Sequence, residues 1–351
     1  MNYTIKIYKK LLLCFSFYII FLYILKYKSF INQIHISISL DENYIYTCIV
    51  YLTSLLDNRY NSTFYIIHIL TDNSITNEYM KKISQIAKKF GKNHVRLKFY
   101  NLEGDFKGAT NKSFPLTAYY RISLPSLLTN IDKIIYSDLD GIIFDDLSEM
   151  YSIKFKEQMY FCGSLDYFHM VHEIEKFGIK INKYINSGFL LINLKAIRDD
   201  GIEKKLRDFV STHELPMADQ TAINAVCNNN IQILSYKYSL FALDSFKQLV
   251  YLNKNQDIIY RLNDSELKKA FNEPIFLHYF DGTKPFKKYN FKPKFNRVYW
   301  WYYAKMSGFY KEIIDFYKFD INDIEKLINQ IPEDGGLLRR NFKKLISINN
   351  V

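Results

Sequence analysis

The order of apolar and polar residues in the N-terminal part of the chain predicts strands that alternate with helices. Strand patterns cover 33–39 and 64–70, and a helical pattern covers 44–56 between them. A second helix is predicted by apolar residues at helical spacing, Met80, Ile83, Ala87 and Phe90, and it is expected to end at Gly91. Val95, Leu97 and Phe99 then alternate with charged residues, as in a strand. This order predicts a mostly parallel α/β sheet of the nucleotide-binding type, with ligands at the carboxyl ends of the strands.

A further buried strand is predicted over 131–136, and two acidic residues follow it directly. Residues 136–147 read YSDLDGIIFDDL, so Asp138 and Asp140 are one residue apart at the carboxyl end of this strand. Burying a carboxylate without a partner is costly. The pair therefore requires a cation, a shared proton or exposure in a solvated turn, and the pattern alone leaves all three open.

The N-terminus carries an uninterrupted apolar run, LLLCFSFYIIFLYIL at 11–25, with lysines on both sides. As a helix this run spans roughly 22 Å, less than the ~30 Å hydrocarbon core, although snorkelling lysines would cover part of the difference. No small-residue cleavage site follows, so we expect residues 1–32 to hold an uncleaved single-pass anchor and the protein to be membrane-associated. A cleaved signal peptide and a merely apolar extension are the alternatives.

Composition limits the function classes. A chain of 351 residues that is 48% hydrophobic can bury a large core. The net charge of +11 is accompanied by no zinc-finger, RNP-like or basic-helix motif, so we expect no nucleic-acid partner and attribute the charge to anionic substrates or a membrane surface. The cysteines, Cys14, Cys48, Cys162 and Cys227, are far apart, which indicates reduced, buried thiols.

Two kinds of enzyme carry D-x-D at the end of a strand. In haloacid-dehalogenase-like phosphatases, which the run IIYSDLDGIIF resembles, Asp138 would be a nucleophile. That family carries the motif on its first strand, whereas a long stretch of α/β sequence precedes it here. In metal-dependent glycosyltransferases the two acids hold a divalent ion against the diphosphate of the donor. The position of the motif in the chain favours the second kind.

Further motifs follow in a fixed order along the chain. They are SLDENY at 39–44, YYRISLPSLL at 119–128, GSLD at 163–166, YINSGFLLINL at 184–194, ADQTAIN at 218–224 and HYFDGTKPF at 278–286. With these motifs the chain resembles glycosyltransferase family 8, the glycogenin and lipopolysaccharide galactosyl- and glucosyltransferase group, over 33–290. The resemblance implies a GT-A-type domain at 33–290 with a mostly parallel central sheet.

The resemblance also implies which residues bind the metal ion and the nucleotide. Asp138, Asp140 and His278 match the metal ligands of the family, for Mn²⁺ or Mg²⁺. The residues that match contacts with the nucleotide part of a UDP-sugar are Asp41, Asn43 and Tyr44 for the nucleoside, and Gly282 and Lys284 for the diphosphate.

Another set of residues matches the donor-sugar contacts of the family, namely Arg121, Asp166, Asn186, Asp219 and Gln220. Of these, Asp166, Asp219 and Gln220 are the expected catalytic residues. Two positions depart from the usual pattern: Phe286 replaces a tryptophan, and Ser137 introduces a hydroxyl that we expect near the metal.

The activity implied by the resemblance is retaining transfer of glucose or galactose from UDP-glucose or UDP-galactose to a hydroxyl of a glycan or glycolipid such as lipopolysaccharide. The alternatives are a phosphohydrolase that uses Asp138 and an inactive, glycan-binding relative. The catalytic domain would be cytosolic in a bacterium and Golgi-lumenal in a eukaryote.

The C-terminal part, 291–351, is expected to form a basic and aromatic helical extension. Between 284 and 312 there are eight Lys/Arg, one Glu and eleven aromatic residues, including YWWYY at 299–303. This composition is typical of a membrane interface and also of an aromatic helix that packs on its domain. The family resemblance favours the membrane interface, because relatives that modify lipid-linked glycans often have such a tail.

Overall fold

The structure is a computed structural model that describes residues 32–91, 93–110, 113–166, 174–181, 183–242, 246–254, 263–287 and 296–329. The apolar run at 11–25 lies outside these ranges. The predicted single-pass anchor is wrong. Among the described helices, none has the length and apolarity needed to cross a membrane. The longest of them, Asn77–Gly91, has 15 residues and exposes lysines, whereas a membrane-crossing helix needs about 20 mostly apolar residues.

The described strands form two sheets. In chain order they are β1 Asn32–Leu40, β2 Thr63–Thr71, β3 Val95–Asn101, β4 Lys133–Ser137, β5 Gly141–Ile143, β6 Phe161–Leu165, β7 Ile185–Asn193, β8 Ile231–Leu234, β9 Leu240–Phe241 and β10 Phe276–His278. The large sheet has seven strands in the order β3-β2-β1-β4-β7-β6-β8, and the small one has the order β5-β10-β9. Among the described strands of the large sheet, only β7 runs antiparallel to its neighbours. The mostly parallel sheet predicted from the sequence is thus confirmed.

The helices cover both faces of the large sheet. In chain order they are α1 Ile45–Asp57, α2 Asn77–Gly91, α3 Leu124–Leu127, α4 Ser148–Ser152, α5 Leu194–Asp199, α6 Ile202–Thr212, α7 Ala218–Val226, α8 Phe246–Lys254, α9 Asp264–Asn272, α10 Arg297–Ser307, α11 Tyr310–Tyr317 and α12 Ile321–Ile328. The predicted helix at 44–56 corresponds to α1, and α2 ends at the predicted glycine.

Alternation along the strands divides the core into two layers. On β1, Ile34, Ile36 and Ile38 contribute to a layer that also contains α1 and α10. On the opposite face, Ile134 and Tyr136 of β4 belong to a layer with α6 and α7. The carboxyl ends of the parallel strands therefore emerge between two helical layers, the place where sheets of this type bind ligands.

The C-terminal helices belong to the fold. Tyr299, Trp300, Trp301 and Tyr303 of α10 are each at most 1% exposed, and they join the same core layer as α1. The interpretation of this run as a membrane-facing surface is therefore wrong, because its aromatic rings face the domain. The described part of the basic, aromatic extension is a packed layer of three helices, α10 to α12.

Candidate active site

The polar residues of the motifs meet at one end of the large sheet, where its parallel strands have their carboxyl ends. Asp138 and Asp140 follow β4, and Asp166 follows β6. Since β7 runs the opposite way, its beginning brings Asn186 to the same end, and the backbone N–H of Asp138 donates to the Gly188 carbonyl at 2.7 Å. His278 is the last residue of β10 in the small sheet. It pairs with Gly141, so it lies beside Asp140.

Asp138, Asp140 and His278 form a group that could hold a metal ion, with one ligand atom from each residue within 4.8 Å of the others. His278 Nε2 lies 3.2 Å from Asp140 Oδ1 and 4.0 Å from Asp138 Oδ2. Two carboxylates and an imidazole suit Mn²⁺ or Mg²⁺ chemically. Gly188 keeps this space open, because a Cβ there would lie 2.4 Å from His278 Cε1 and 2.8 Å from Asp138 Oδ2.

Lys284 extends the group on the side of Asp140. Its ammonium lies 2.8 Å from Asp140 Oδ2 and donates to the Tyr44 hydroxyl at 3.3 Å. Burial by itself would raise the pKa of Asp140, but the Lys284 ammonium and the His278 ring lower that pKa well below its usual range. Asp140 is therefore an anion at neutral pH, as a metal ligand must be.

Arg121 connects the acidic pair to Asp219. Its Nη2 donates to Asp138 Oδ1 at 2.8 Å, its Nε lies 3.0 Å from Asp219 Oδ2, and its Nη1 donates to the Ser187 carbonyl. The guanidinium also lies over the Tyr136 ring, 3.9 Å from the ring centroid. Burial raises the pKa of Asp219 to about 6, while Arg121 acts in the opposite direction. Arg121 thus links the candidate metal-binding group to the first turn of α7.

The other amides and acids form one hydrogen-bonded network. Gln220 Oε1 accepts from Asn186 Nδ2 at 3.1 Å and from the Ser187 N–H at 2.9 Å, and Gln220 Nε2 donates to Asp166 Oδ2 at 3.3 Å. Asn186 Nδ2 also donates to Asp166 Oδ2 at 3.0 Å. All three side chains are at most 7% exposed. They hold one another in fixed orientations.

Two positions that sequence reasoning missed fix this network. Ala218 begins α7 with φ +46°, a left-handed conformation that is strained for a residue other than glycine. Asn224 bonds to both backbone groups of Ile185: it accepts from the N–H at 2.8 Å and donates to the carbonyl at 2.9 Å. The available signal for Asn224 is its i+4 spacing from Gln220 in ADQTAIN.

The predicted nucleoside contacts lie between β1 and α1. Asp41 Oδ1 accepts from the Asn43 N–H at 3.0 Å and caps the short turn Glu42–Tyr44. Burial raises the pKa of Asp41. The Tyr44 ring meets Phe286 edge-on with 5.8 Å between centroids. The segments that hold the predicted nucleoside and diphosphate contacts therefore touch each other through these two aromatic rings.

Both departures from the family pattern are buried. Ser137 is fully buried, and its hydroxyl donates to the backbone carbonyl of Asp138 at 2.9 Å. Phe286 packs against Trp300 with ring centroids 5.6 Å apart, so a helix outside the motifs fills the space beside it. As predicted, Cys48, Cys162 and Cys227 are free and buried.

This sheet, with an acidic pair after β4 and a polar network beside it, defines a GT-A-type glycosyltransferase. A family model described as "Glycosyl transferase family 8" matches residues 35–290, and the chain belongs to that family. The expected family resemblance is thus confirmed, and it favours the glycosyltransferase over the phosphohydrolase.

Relatives agree with this assignment. The chain is 26% identical over 270 residues to a lipopolysaccharide 1,2-glucosyltransferase of Escherichia coli, covering 72% of each chain. It is 22% identical to a lipopolysaccharide 1,3-galactosyltransferase of Salmonella typhimurium, covering 75% of each. Together with the family, these relatives identify the chain as a hexosyltransferase.

Solved structures support the fold. Galactosyltransferase LgtC in complex with donor and acceptor sugar analogs matches with a TM-score of 0.63 at 20% identity, covering 78% of this chain and 95% of that one. The apo WbbM bifunctional glycosyltransferase matches with a TM-score of 0.65 at 16% identity, and the match covers 81% of this chain and 52% of that one.

Proposed function

We propose that the chain transfers glucose or galactose from a UDP-sugar to a hydroxyl of a surface glycan such as lipopolysaccharide, with retention of the anomeric configuration. The observation that carries this proposal is the Asp138, Asp140 and His278 group at the carboxyl end of the sheet. Bound there, Mn²⁺ or Mg²⁺ would supply Lewis-acid polarisation of the diphosphate oxygens. The acceptor class comes from the names of the relatives.

The residues around this group have distinct roles in the proposal. Lys284 stabilises the negative charge of the departing diphosphate, since its ammonium already lies beside an anionic ligand of the metal group. Asp41, Asn43 and Tyr44 bind the nucleoside. Gly282 allows the backbone to approach the diphosphate closely.

The sugar is oriented by the buried network. Asp166 and Asn186 offer acceptors and donors to sugar hydroxyls, as recognition of buried hydroxyls requires. Gln220 has its amide oxygen engaged by two donors, which makes it a poor nucleophile. Retention therefore follows a front-face path: the anomeric bond to UDP breaks, the acceptor oxygen bonds on the same face, and the leaving phosphate oxygen takes the acceptor proton. Asp219 and Gln220 support the developing positive charge, and Arg121 holds Asp219 in place.

A donor panel tests the proposal. Purified chain is incubated with UDP-glucose, UDP-galactose and other UDP-sugars in Mn²⁺, in Mg²⁺ and in excess EDTA, and released UDP is measured. We expect release from a UDP-hexose with metal and none with EDTA. An inactive glycan-binding relative would release no UDP under any condition, and a phosphohydrolase would release phosphate from monoesters instead.

The stereochemistry is tested on the product. NMR coupling constants of the new linkage report its anomeric configuration, and we expect an α-linked product from an α-linked UDP-sugar. A β-linked product would contradict the front-face path.

A further inference from the structure

We propose that Arg297, at the start of α10, is a positioning residue that holds the diphosphate side of the donor site in place. This inference rests on the proposed function. Arg297 lies beyond residues 35–290, which the family model matches, so the match does not assign a role to it. In the sequence it counts only as one more cation of the basic C-terminal part.

The position of Arg297 is unusual for a charged residue. It is 1% exposed, and its Nη2 donates to the Gly282 carbonyl at 2.7 Å. Burying a guanidinium is costly unless it is well partnered, so the bond from Arg297 to the Gly282 carbonyl is important for local structure. The group it binds is the backbone of the segment that carries Lys284.

A second contact joins α10 to the same segment. The Tyr279 hydroxyl donates to the Asn296 carbonyl at 2.6 Å, immediately before Arg297. Tyr279 follows the metal-ligand candidate His278, and its backbone N–H donates to the Asp140 carbonyl at 2.8 Å. The start of α10 is therefore bonded to Tyr279, before the turn Asp281–Thr283, and to Gly282 within that turn.

Bonds to the backbone of Phe280 also hold the described part of the turn. Gly282 is exposed, whereas Thr283 bonds to the Phe280 backbone through its hydroxyl, at 2.9 and 2.7 Å, and donates its backbone N–H to the Phe280 carbonyl at 2.8 Å. Lys284 has a defined position, 2.8 Å from Asp140 Oδ2. By binding the Gly282 carbonyl, Arg297 holds the turn in the position from which Lys284 reaches the diphosphate.

The remaining contacts show that the C-terminal layer also supports the nucleoside side. Phe286 packs on Trp300 of α10 and on Tyr317 of α11, with ring centroids 5.6 and 5.4 Å apart. The Tyr317 hydroxyl bonds to Thr47 Oγ1 at 2.8 Å, in the first turn of α1 directly after the predicted nucleoside contacts. Both ends of the donor site thus rest on the same two helices.

The test compares UDP and UMP binding in Mn²⁺ by calorimetry. UMP lacks the distal phosphate, so a defect in the Lys284 segment should weaken UDP much more than UMP. We expect Arg297→Gln to raise the Kd for UDP about tenfold or more and to change the Kd for UMP by less than about threefold, with Arg297→Lys in between. A general loss of structure would weaken both nucleotides alike.

A matched control is available in Arg198. It also donates to backbone carbonyls, those of Pro125, Leu128 and Ile131, but near the opposite end of the sheet. Arg198→Gln should leave both affinities unchanged. If it lowers the UDP affinity as Arg297→Gln does, the specific role of Arg297 is overturned.

A double-mutant cycle tests whether Arg297 acts through Lys284. In a Lys284→Ala background, Arg297→Gln should lower the UDP affinity by less than about twofold, because the group it positions is already absent. Additive losses would overturn the inference.

Should Arg297→Gln fail to fold, Tyr279→Phe decides the question, because it removes only the hydroxyl that bonds to Asn296 and conserves volume. We expect it to weaken UDP about threefold and to spare UMP. Unchanged UDP binding in this variant, or in a folded Arg297→Gln, overturns the role of Arg297 while the proposed function stands. A wild-type chain that binds neither nucleotide overturns both.

Discussion

Asp138 and Asp140 have different neighbours although one residue separates them. Asp138 accepts a hydrogen bond from Arg121, whereas Asp140 pairs with Lys284 and His278. Two separate cations therefore balance the two carboxylates. In the proposed reaction both carboxylates bind the same ion.

Replacing either carboxylate by its amide tests this role. We expect Asp138→Asn or Asp140→Asn to lower UDP release on the order of 100-fold, because each change removes an anionic ligand from the proposed site of a divalent ion. UDP release at saturating Mn²⁺ measures the effect. Asp132→Asn is a suitable control, since this acid is 78% exposed near the start of β4. Full activity in either site variant would contradict the assignment.

Asp219 gives the site a pH dependence. Its pKa is raised from 3.8 to about 6, first by burial, with Arg121 opposing. If the charged form supports the reaction, turnover should fall as the pH decreases through about 6. A pH–rate profile should show this acid limb in the wild type and lose it in Asp219→Asn. Persistence of the same limb in the variant would exclude Asp219 as its source.

The same shift affects stability with a defined sign. Because the pKa of Asp219 is higher in the folded chain than the ordinary value of 3.8, ionisation opposes folding. The stabilisation from the neutral form is complete below about pH 4 and is lost as the pH rises through about 6. The melting temperature of the wild type relative to Asp219→Asn should therefore decrease between these two pH values.

At the scale of elements, the site depends on how α7 is attached to β7. Asn224 makes both hydrogen bonds to the Ile185 backbone and a third to the Gln220 carbonyl, at 2.8 Å. These bonds set the distance between Gln220 and Asn186.

Removing this attachment should affect stability and turnover together. We expect Asn224→Ala to lower the free energy of unfolding by about 2 kcal/mol, since it leaves buried backbone groups unpaired. Turnover should fall as well, because Gln220 and Asn186 lose their fixed spacing. Urea unfolding and UDP release measure the two effects. Asn230→Ala removes a single exposed bond to the Gln158 carbonyl and should change neither.

Sequence reasoning predicted the elements whose signal is local. The alternation in β3, the glycine at the end of α2 and the acidic pair after β4 can be read from neighbouring residues. The antiparallel direction of β7 and the pairing of the small sheet could not be predicted, because both depend on segments far apart in the chain. For the same reason the sequence did not predict the ion pairs of Arg121 with Asp138 and Asp219. It did predict Arg121 as a site residue, because Arg121 lies in the motif YYRISLPSLL.

At the scale of the whole molecule, α10 to α12 complete the core. Trp300 and Trp301 are fully buried, and the Asn58 amide of the α1 C-terminus donates to the Tyr303 hydroxyl at 2.8 Å. The basic, aromatic composition indicated a membrane interface because composition does not report which side of a helix is covered.

Truncation tests this structural role. A chain that ends at residue 296 lacks α10 to α12 and would expose the apolar face of α1, so we expect it to be insoluble or to melt well below the full chain. Removing only residues 330–351 leaves the three helices in place and serves as the control. A soluble, cooperatively folded chain ending at 296 would contradict the assignment of these helices to the core.

The bond between Asn58 and Tyr303 joins positions 245 residues apart. While the ribosome synthesises the chain, the side of α1 that packs on α10 therefore stays uncovered until a further 245 residues have been made. At about 5–20 residues per second, this interval lasts roughly 10 to 50 seconds. During that time this side of α1 is open to chaperones and to other nascent chains. Slow translation or a shortage of chaperones should thus reduce the yield of this protein more than that of a domain whose first helix is covered by its immediate neighbours.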